Sequence, residues 1–305
     1  MAKIKFRNMH MSKANKERLE IINGIIEEYQ ADGYVLTLRQ LYYQLVTRDV
    51  IPNKQTEYSK LSTLLKEGRM AGIVDWDAIE DRLRKPSKPA SFDSPEDILN
   101  AAINQYALPR QEGQNTYVEV WVEKDALSGV LKRVTEKYHV PILVNRGYSS
   151  ASAMFDSYQR FKRAYNNNQT IKILYLGDYD PSGLDMIRDI RDRIIEFAMG
   201  DFGWEYKEES MNDFGFSVTP IALTREQIDQ YNPPPNPAKV TDPRAKDFIK
   251  TLGKTSWEVD ALRPEVLNQL LDDAIKENID ESVFEEIVSR EESDKEKLRS
   301  LVSYL

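Results

Sequence analysis

Two short apolar runs in this chain end on acids. Tyr117–Val122 leads into Glu123, followed by Lys124 and Asp125, and Ile171–Gly177 leads into Asp178-Tyr179-Asp180-Pro181-Ser182-Gly183. Asp178 and Asp180 are two apart, so in an extended segment their side chains share one face. Glu123 can approach them from a neighbouring strand. Three carboxylates without histidine or cysteine match a hard divalent cation, magnesium above all. The same Asp-x-Asp-Pro-x-Gly spelling is also good turn chemistry, with an Asp capping the helix that follows. From these residues alone both readings stand.

Composition narrows the alternatives. The 305 residues include no cysteine and two histidines, His10 and His139. Disulfides, thiolate nucleophiles and cysteine-ligated zinc or iron–sulfur centres are therefore excluded. No Gly-x-Ser-x-Gly elbow accompanies either histidine. Any chemistry must lean on carboxylates, hydroxyls, Lys, Arg and an oxygen-loving metal. The net charge is −8, yet residues 1–90 hold 16 Lys+Arg against 12 Asp+Glu, and residues 255–305 hold 6 against 14. A mildly basic head on an acidic body is compatible with local contact to DNA. No apolar run approaches the roughly 18 residues of a membrane span, and no signal-peptide pattern opens the chain. Lack of cysteine fits a reducing cytosol, so a cytoplasmic protein is expected, nucleoid-associated if the source is bacterial, archaeal or viral.

The elements that must position these acids are readable in outline. Residues 13–31 carry Leu19, Ile22, Ile25, Ile26 and Tyr29 on one helical stripe, and Gly33 stops that helix. Thr37-Leu38-Arg39-Gln40 has the capping-box pattern and opens a second helix. A third is expected over about 57–70, with Tyr58, Leu61, Leu64 and Leu65 inward and Lys60, Lys66 and Arg69 available for the outer face. Three short helices with tight turns in a basic segment suggest a helix-turn-helix or winged-helix module, with plain three-helix packing as the alternative. The Pro-, Ser- and Lys-rich stretch 84–94 is the expected linker, dividing the chain into 1–90 and 91–305. After a helix near 95–106, short β-branched runs at 117–122, 140–144, 171–176 and 216–223 alternate with helical segments, the pattern of a parallel sheet with crossover helices. An extended proline-rich loop over 231–243 and helices near 244–252, 264–277 and 281–302 complete the chain.

The second helix holds adjacent tyrosines. Leu38, Leu41, Tyr42 and Leu45 follow i, i+3, i+4, i+7, which puts Tyr42 on the buried stripe. Tyr43 is rotated about 100° off that stripe and shares a face with Arg39, four residues earlier. One tyrosine is thus placed for packing and the other for solvent or DNA, although without further context both read as ordinary packing residues.

Together these residues carry a resemblance. Val122-Glu123-Lys124 and Gly177–Gly183 look like the acidic motifs of a Toprim domain, the magnesium-binding module of topoisomerases and DnaG-type primases. Asn145-Arg146-Gly147-Tyr148 resembles the Gly-aromatic turn between them, and Trp257-Glu258-Val259-Asp260-Ala261-Leu262 resembles a late segment of one branch. That branch is the A subunit of type IIB topoisomerase (topoisomerase VI) with its meiotic double-strand-break relative. The likeness runs from about residue 35 to about 275, and the chain looks like a compact, stand-alone member.

The resemblance implies a winged-helix domain followed by a Toprim α/β domain, and a reaction. In the family, the second tyrosine of an Arg-Asp-x-Tyr-Tyr-like motif is the nucleophile. Here Arg39-Gln40-Leu41-Tyr42-Tyr43 stands in that place, so the implied nucleophile is Tyr43. A phenol with a pKa of about 10 needs help at neutral pH. Arg39 would stabilise the phenolate and bind the scissile phosphate. Mg2+ on Glu123, Asp178 and Asp180 would neutralise the phosphate, with Glu123 counted as catalytic and Lys124 assisting. The implied product is a 5′-phosphotyrosyl link to double-stranded DNA, contacted also by Lys60, Lys66 and Arg69. The implied assembly is a homodimer in which the tyrosine of one protomer meets the Toprim site of the other. Two positions depart from the family: Gln40 stands where Asp is common, and Ser182 replaces a bulkier residue. No Gly-rich phosphate loop is present, so ATP-driven strand passage would need a separate GHKL-type ATPase subunit. A hydrolytic Toprim nuclease and a non-enzymatic DNA-binding protein on an inactive Toprim scaffold are the alternatives.

Overall fold

The structure, a computed structural model, describes residues 3–8, 10–80, 89–145, 147–203, 214–237, 248–250 and 253–302. Its first unit is helical. Helices α1 (Lys13–Ala31), α2 (Leu38–Thr47) and α3 (Gln55–Met70) form around Leu19, Ile22, Ile25, Tyr29, Leu41, Leu45, Leu61 and Leu64. Ser12 caps α1, accepting from the Asn15 N–H at 3.2 Å. The capping box at Thr37 is formed: the Gln40 N–H donates to Thr37 Oγ1 at 3.3 Å, and the Thr37 N–H donates to Gln40 Oε1 at 2.8 Å. Gln40 therefore spends its side chain on starting α2. Among the described residues, single β-bridges at Lys5–Ala71 and Leu36–Ile79 accompany the three helices, and no β-hairpin wing follows them. Part of the expected linker, residues 84–88, and Arg146 lie outside the described residues, as do residues 244–247 and 251–252 of the helix expected near 244–252.

The second unit is a three-layer α/β sandwich. Strands β1 (Thr116–Val122), β2 (Ile142–Val144), β3 (Thr170–Leu176) and β4 (Phe216–Ala222) pair in the order β2-β1-β3-β4, all parallel. Side chains alternate between its faces. Val118, Val120, Val122, Leu174 and Leu176 pack on α5 (Asp125–Tyr138), and the later helix Pro264–Lys276 covers the same face. Trp121, Ile171, Ile173 and Tyr175 face α6 (Ala151–Asn166) and α7 (Pro181–Phe202). From β1 the chain goes to β2 on one side, then returns to β3 on the other. The switch point, where loops diverge and leave a crevice, thus lies between the carboxyl ends of β1 and β3, which are the ends that carry Glu123 and Asp178.

Two further pieces frame the crevice. After β4 come α8 (Arg225–Tyr231) and a two-residue ladder between β5 (Asn236–Pro237) and β6 (Thr255–Ser256). The described part of the proline-rich loop is thus tied down by β6. A strap then runs from Thr255 to Leu262 through a 3-10 turn at Val259–Ala261, into α9 (Pro264–Lys276) and α10 (Glu281–Val302). No helix among the described residues is long and apolar enough to cross a membrane.

The acidic α10 packs on α4 (Pro95–Gln105) and buries only Ile287 and Glu291. Glu291 accepts from the Leu108 N–H at 2.9 Å, Arg110 at 2.9 Å and Lys295 at 2.6 Å. Burial works against its charge, but Arg110 and Lys295 hold the carboxyl at about 2, below its ordinary 4.5. A depressed pKa contributes stability that is present above the unfolded value and lost as pH falls through the folded one. The α10 anchor is therefore expected to loosen as pH falls from 4.5 towards 2. Glu291→Gln should flatten that acid limb in thermal melts; an unchanged pH dependence would show that Glu291 is not the anchor.

Candidate active site at the carboxyl ends of β1 and β3

Glu123 and Asp178 are held by the sheet itself. The Glu123 N–H donates to the Leu176 carbonyl at 2.9 Å, extending the β1–β3 ladder by one residue. Its carboxylate accepts from the Asp178 N–H at 2.9 Å. Behind Asp178 the turn is tight. A Cβ on Gly183 would sit 2.2 Å from the Asp178 carbonyl oxygen, so only glycine fits there. Asp180 takes the capping role that the sequence allowed: its Oδ1 accepts from the Gly183 N–H at 2.7 Å, with Pro181 opening α7.

The strap adds two acids that the sequence had not singled out as ligands. Tyr179 and Trp257 exchange backbone hydrogen bonds at 2.8 and 3.1 Å, which binds the strap to the Asp178–Asp180 turn. The Val259 N–H then donates to Asp178 Oδ1 at 2.9 Å. As a result one carboxylate oxygen from each of Asp178, Glu258 and Asp260 lies within 4.8 Å of the others. This cluster can hold a metal ion. It differs from the predicted Glu123, Asp178 and Asp180 set because Asp180 is turned to its helix while the strap brings Glu258 and Asp260 in. A signal existed: Glu258 and Asp260 repeat the i, i+2 spacing that drew attention to Asp178 and Asp180.

Lys124 sits in the middle of this cluster. Its Nζ lies 2.7 Å from Asp178, 2.9 Å from Glu258 and 2.6 Å from Asp260. Burial disfavours the ammonium, but Asp260, Asp178 and Glu258 outweigh it and raise the Lys124 pKa. Expected at the DNA phosphate, Lys124 is instead turned inward and fully engaged by acids. Burial raises the carboxyls of Glu123 and Asp178, each in the field of the other acids. Glu258 goes the other way: despite burial, Lys124 and Arg39 hold it at about 2.

Arg39 and Tyr43 reach the same place from α2. Arg39 pairs with Glu258 and, at 2.8 Å, with Asp260. Its guanidinium carbon lies 5.8 Å from the centre of the Tyr43 ring. Tyr43 is not on a free face: both Tyr42 and Tyr43 are buried, at 5% and 4% exposure. The stripe rule assumes one core, but α2 has two. Its inner side faces α1 and α3, and its outer side is covered by the strap, with Ala261 joining the helical core. The two phenols still differ. Tyr42 donates to Asn53 Oδ1 at 3.0 Å or the Lys54 carbonyl at 3.2 Å, away from the acids. Tyr43 instead lines the cleft together with Glu258 and Asn236. Its pKa is raised, first by burial and then by the Glu258 charge, with Arg39 opposing.

Arg39, Tyr42, Tyr43, Glu123, Lys124, Asp178, Asp180 and Glu258 line one cleft of about 570 Å³. Along α3, Lys66 is exposed and borders an adjoining hollow with Arg39 and Arg69. Lys60 is exposed and paired with Glu57 at 2.7 Å. Arg69 is committed to its own unit, donating to the Trp76 and Ile79 carbonyls at 3.0 and 2.9 Å, so it braces the segment after α3 rather than facing outward. Compared with known proteins, the chain matches no family model and no curated sequence, which leaves the geometry of this cleft to carry the functional reading.

Proposed function

We propose that this chain is a DNA-cleaving transesterase of the topoisomerase VI A type, with a wingless helix-turn-helix-like head on a Toprim-like α/β body. The observation that carries the reading is one cleft in which a tyrosine and an arginine meet at least four carboxylates at a sheet switch point. In the proposed reaction the Tyr43 oxygen attacks a DNA phosphorus as the bond to the deoxyribose 3′ oxygen breaks. The phenol gives up its proton, the leaving 3′ oxygen gains one, and a 5′-phosphotyrosyl ester remains. No redox partner is needed, and the new ester resembles the bond broken, so the step is reversible. Arg39 balances charge on the phosphate and the phenolate. Asp178, Glu258 and Asp260 would hold a divalent cation once it displaces the Lys124 ammonium that lies 2.6 to 2.9 Å from all three, and an all-oxygen donor set favours magnesium. When bound, it supplies charge neutralisation at the phosphate. A phosphate entering the cleft competes with Glu258 and Asp260 for Arg39, and exposed Lys60 and Lys66 offer sequence-independent DNA contacts.

Denaturing trapping tests this. Protein incubated with DNA and magnesium, then denatured, is expected to leave covalent protein on 5′ ends. Tyr43→Phe should abolish the adduct, while Tyr42→Phe should retain it. The reverse pattern would overturn the assignment. One observation favours a second reading: a buried phenol of raised pKa is a poor nucleophile. Cleavage that survives Tyr43→Phe and leaves free 5′-phosphates would mark a hydrolytic nuclease with Tyr43 as a DNA contact.

A further inference from the structure

We propose that the outer face of α3 reads base pairs in the DNA major groove beside the cut, with a preference for A·T. This deepens the transesterase reading by naming what the head recognises, and it rests on that reading for duplex DNA as the substrate. The outward residues of α3 are unusual for this chain. Gln55, Thr56, Ser59, Ser62 and Thr63 are exposed, with Lys60 and Lys66 among them. The two acids of the helix, Glu57 and Glu67, are half-buried, and Glu57 is engaged by Lys60 at 2.7 Å and Arg18 at 3.9 Å. Among the described residues, every other helix of ten residues or more exposes a carboxylate, except α2, which exposes only Thr47. Serine and threonine are also poor interior helix formers. Ser59, Ser62 and Thr63 on a solvent face therefore work against their own helix, a conflict expected where side chains serve a ligand.

Shape and position agree with this. α3 stands as a ridge between two depressions. One runs along α1, lined by Asn15, Arg18, Ser59, Lys60 and Thr63; the other is lined by Tyr58, Ser62, Lys66 and Arg39. A helix with its side chains is about 10–12 Å across, and the major groove is about 12 Å wide. At the start of α3, Asn53, Gln55 and Tyr58 line the same cleft as Tyr43. Tyr43 and α3 belong to one helical unit, so their spacing is the same whichever chain supplies the carboxylates. From Gln55 to Lys66 the helix rises about 16 Å, or about five base pairs. The side chains set what is read. Ser59 Oγ donates to the Gln55 carbonyl at 3.3 Å, and Thr63 Oγ1 donates to the Ser59 carbonyl at 3.2 Å. Their protons are thus spent on the helix, and the oxygens are left to accept. Adenine N6 is a major-groove donor, glutamine pairs bidentately with adenine, and threonine methyls pack on the thymine methyl. Lys60 and Lys66 carry no base information and serve the phosphates.

Selection from a randomised duplex library tests this. The full chain would bind the library in EDTA, where no metal supports cleavage, and the retained duplexes would be sequenced. The expected result is A·T enrichment over one contiguous run of about five base pairs. Combining Gln55→Ala, Ser59→Ala and Thr63→Ala should cut that enrichment by about tenfold or more. Alanine is the best helix former, so the variant keeps α3, which far-UV circular dichroism checks. Lys60→Ala with Lys66→Ala should instead weaken all sequences alike and lower the slope of log K against log salt by about two. An unenriched wild-type pool, no duplex binding, or an enrichment that survives the triple variant would overturn the proposal. The covalent adduct is scored separately with magnesium. Adduct without enrichment removes base reading alone; enrichment without adduct upholds base reading and removes the transesterase reading.

Discussion

Lys124→Met is expected to destabilise the protein by about 3–5 kcal/mol, the range for removing one partner of a buried ion pair. The ammonium touches three carboxylates at 2.6 to 2.9 Å, and its side chain is 18% exposed. Methionine keeps the length and the apolar stem but leaves Asp178, Glu258 and Asp260 facing one another with only Arg39 to compensate. Partial exposure of Glu258, at 24%, favours the lower end of the range. Magnesium should then stabilise the variant more than the wild type, because a cation that binds only the folded state adds about 2.7 kcal/mol at a hundred times its Kd. Chemical denaturation with and without magnesium checks both parts. Wild-type stability, or a magnesium response no larger than the wild type's, would show that Lys124 does not neutralise the cluster. Adding Asp178→Asn to the variant should recover part of the loss by removing one of the repelling charges.

Net charge was a poor guide to this site for the same reason. A total of −8 describes the chain, yet in the cleft Lys124 and Arg39 are matched against acids at contact distance. Some of what surrounds them was legible from local sequence. Short β-branched runs gave β1 and β3, and the residues that follow the runs are Glu123 and Asp178. Asp180 before Pro181 is an N-cap spelling, and capping is its observed use. The acidic end also became clearer: α10 is a mostly solvated helix anchored through Glu291. Two features needed the fold. Periodicity placed Tyr43 outside the core because it treats α2 as touching a single layer, whereas the strap supplies a second. Glu258 and Asp260 meet Asp178 through contacts spanning some eighty residues, as in the Val259–Asp178 hydrogen bond at |i−j| = 81, and no local pattern encodes that closure.

Glu119→Ala tests a different support of the same sheet. Glu119 points from the middle of β1 into the α6 face and is fully buried. Its oxygens accept from Arg160 at 2.6 and 3.0 Å, from Tyr117 at 2.9 Å and from Trp121 at 3.0 Å. Both oxygens are thus doubly bonded, so the desolvated charge is compensated as far as geometry allows. Truncation orphans the Trp121 indole N–H in the core and leaves Arg160 without its partner, at an expected cost of about 3–5 kcal/mol. Arg160 is 33% exposed and can turn to water, so the effect should lie toward the lower figure. Urea unfolding should show a lower midpoint at unchanged slope, since the exposed area on unfolding is the same. A double variant, Glu119→Met with Arg160→Met, should recover part of the loss, because it removes the unpaired Arg160 charge while the Trp121 indole N–H still lacks its acceptor. If the double variant is no more stable than Glu119→Ala, the pair is not what ties α6 to β1, and packing of Trp121 against Phe161 must carry the contact.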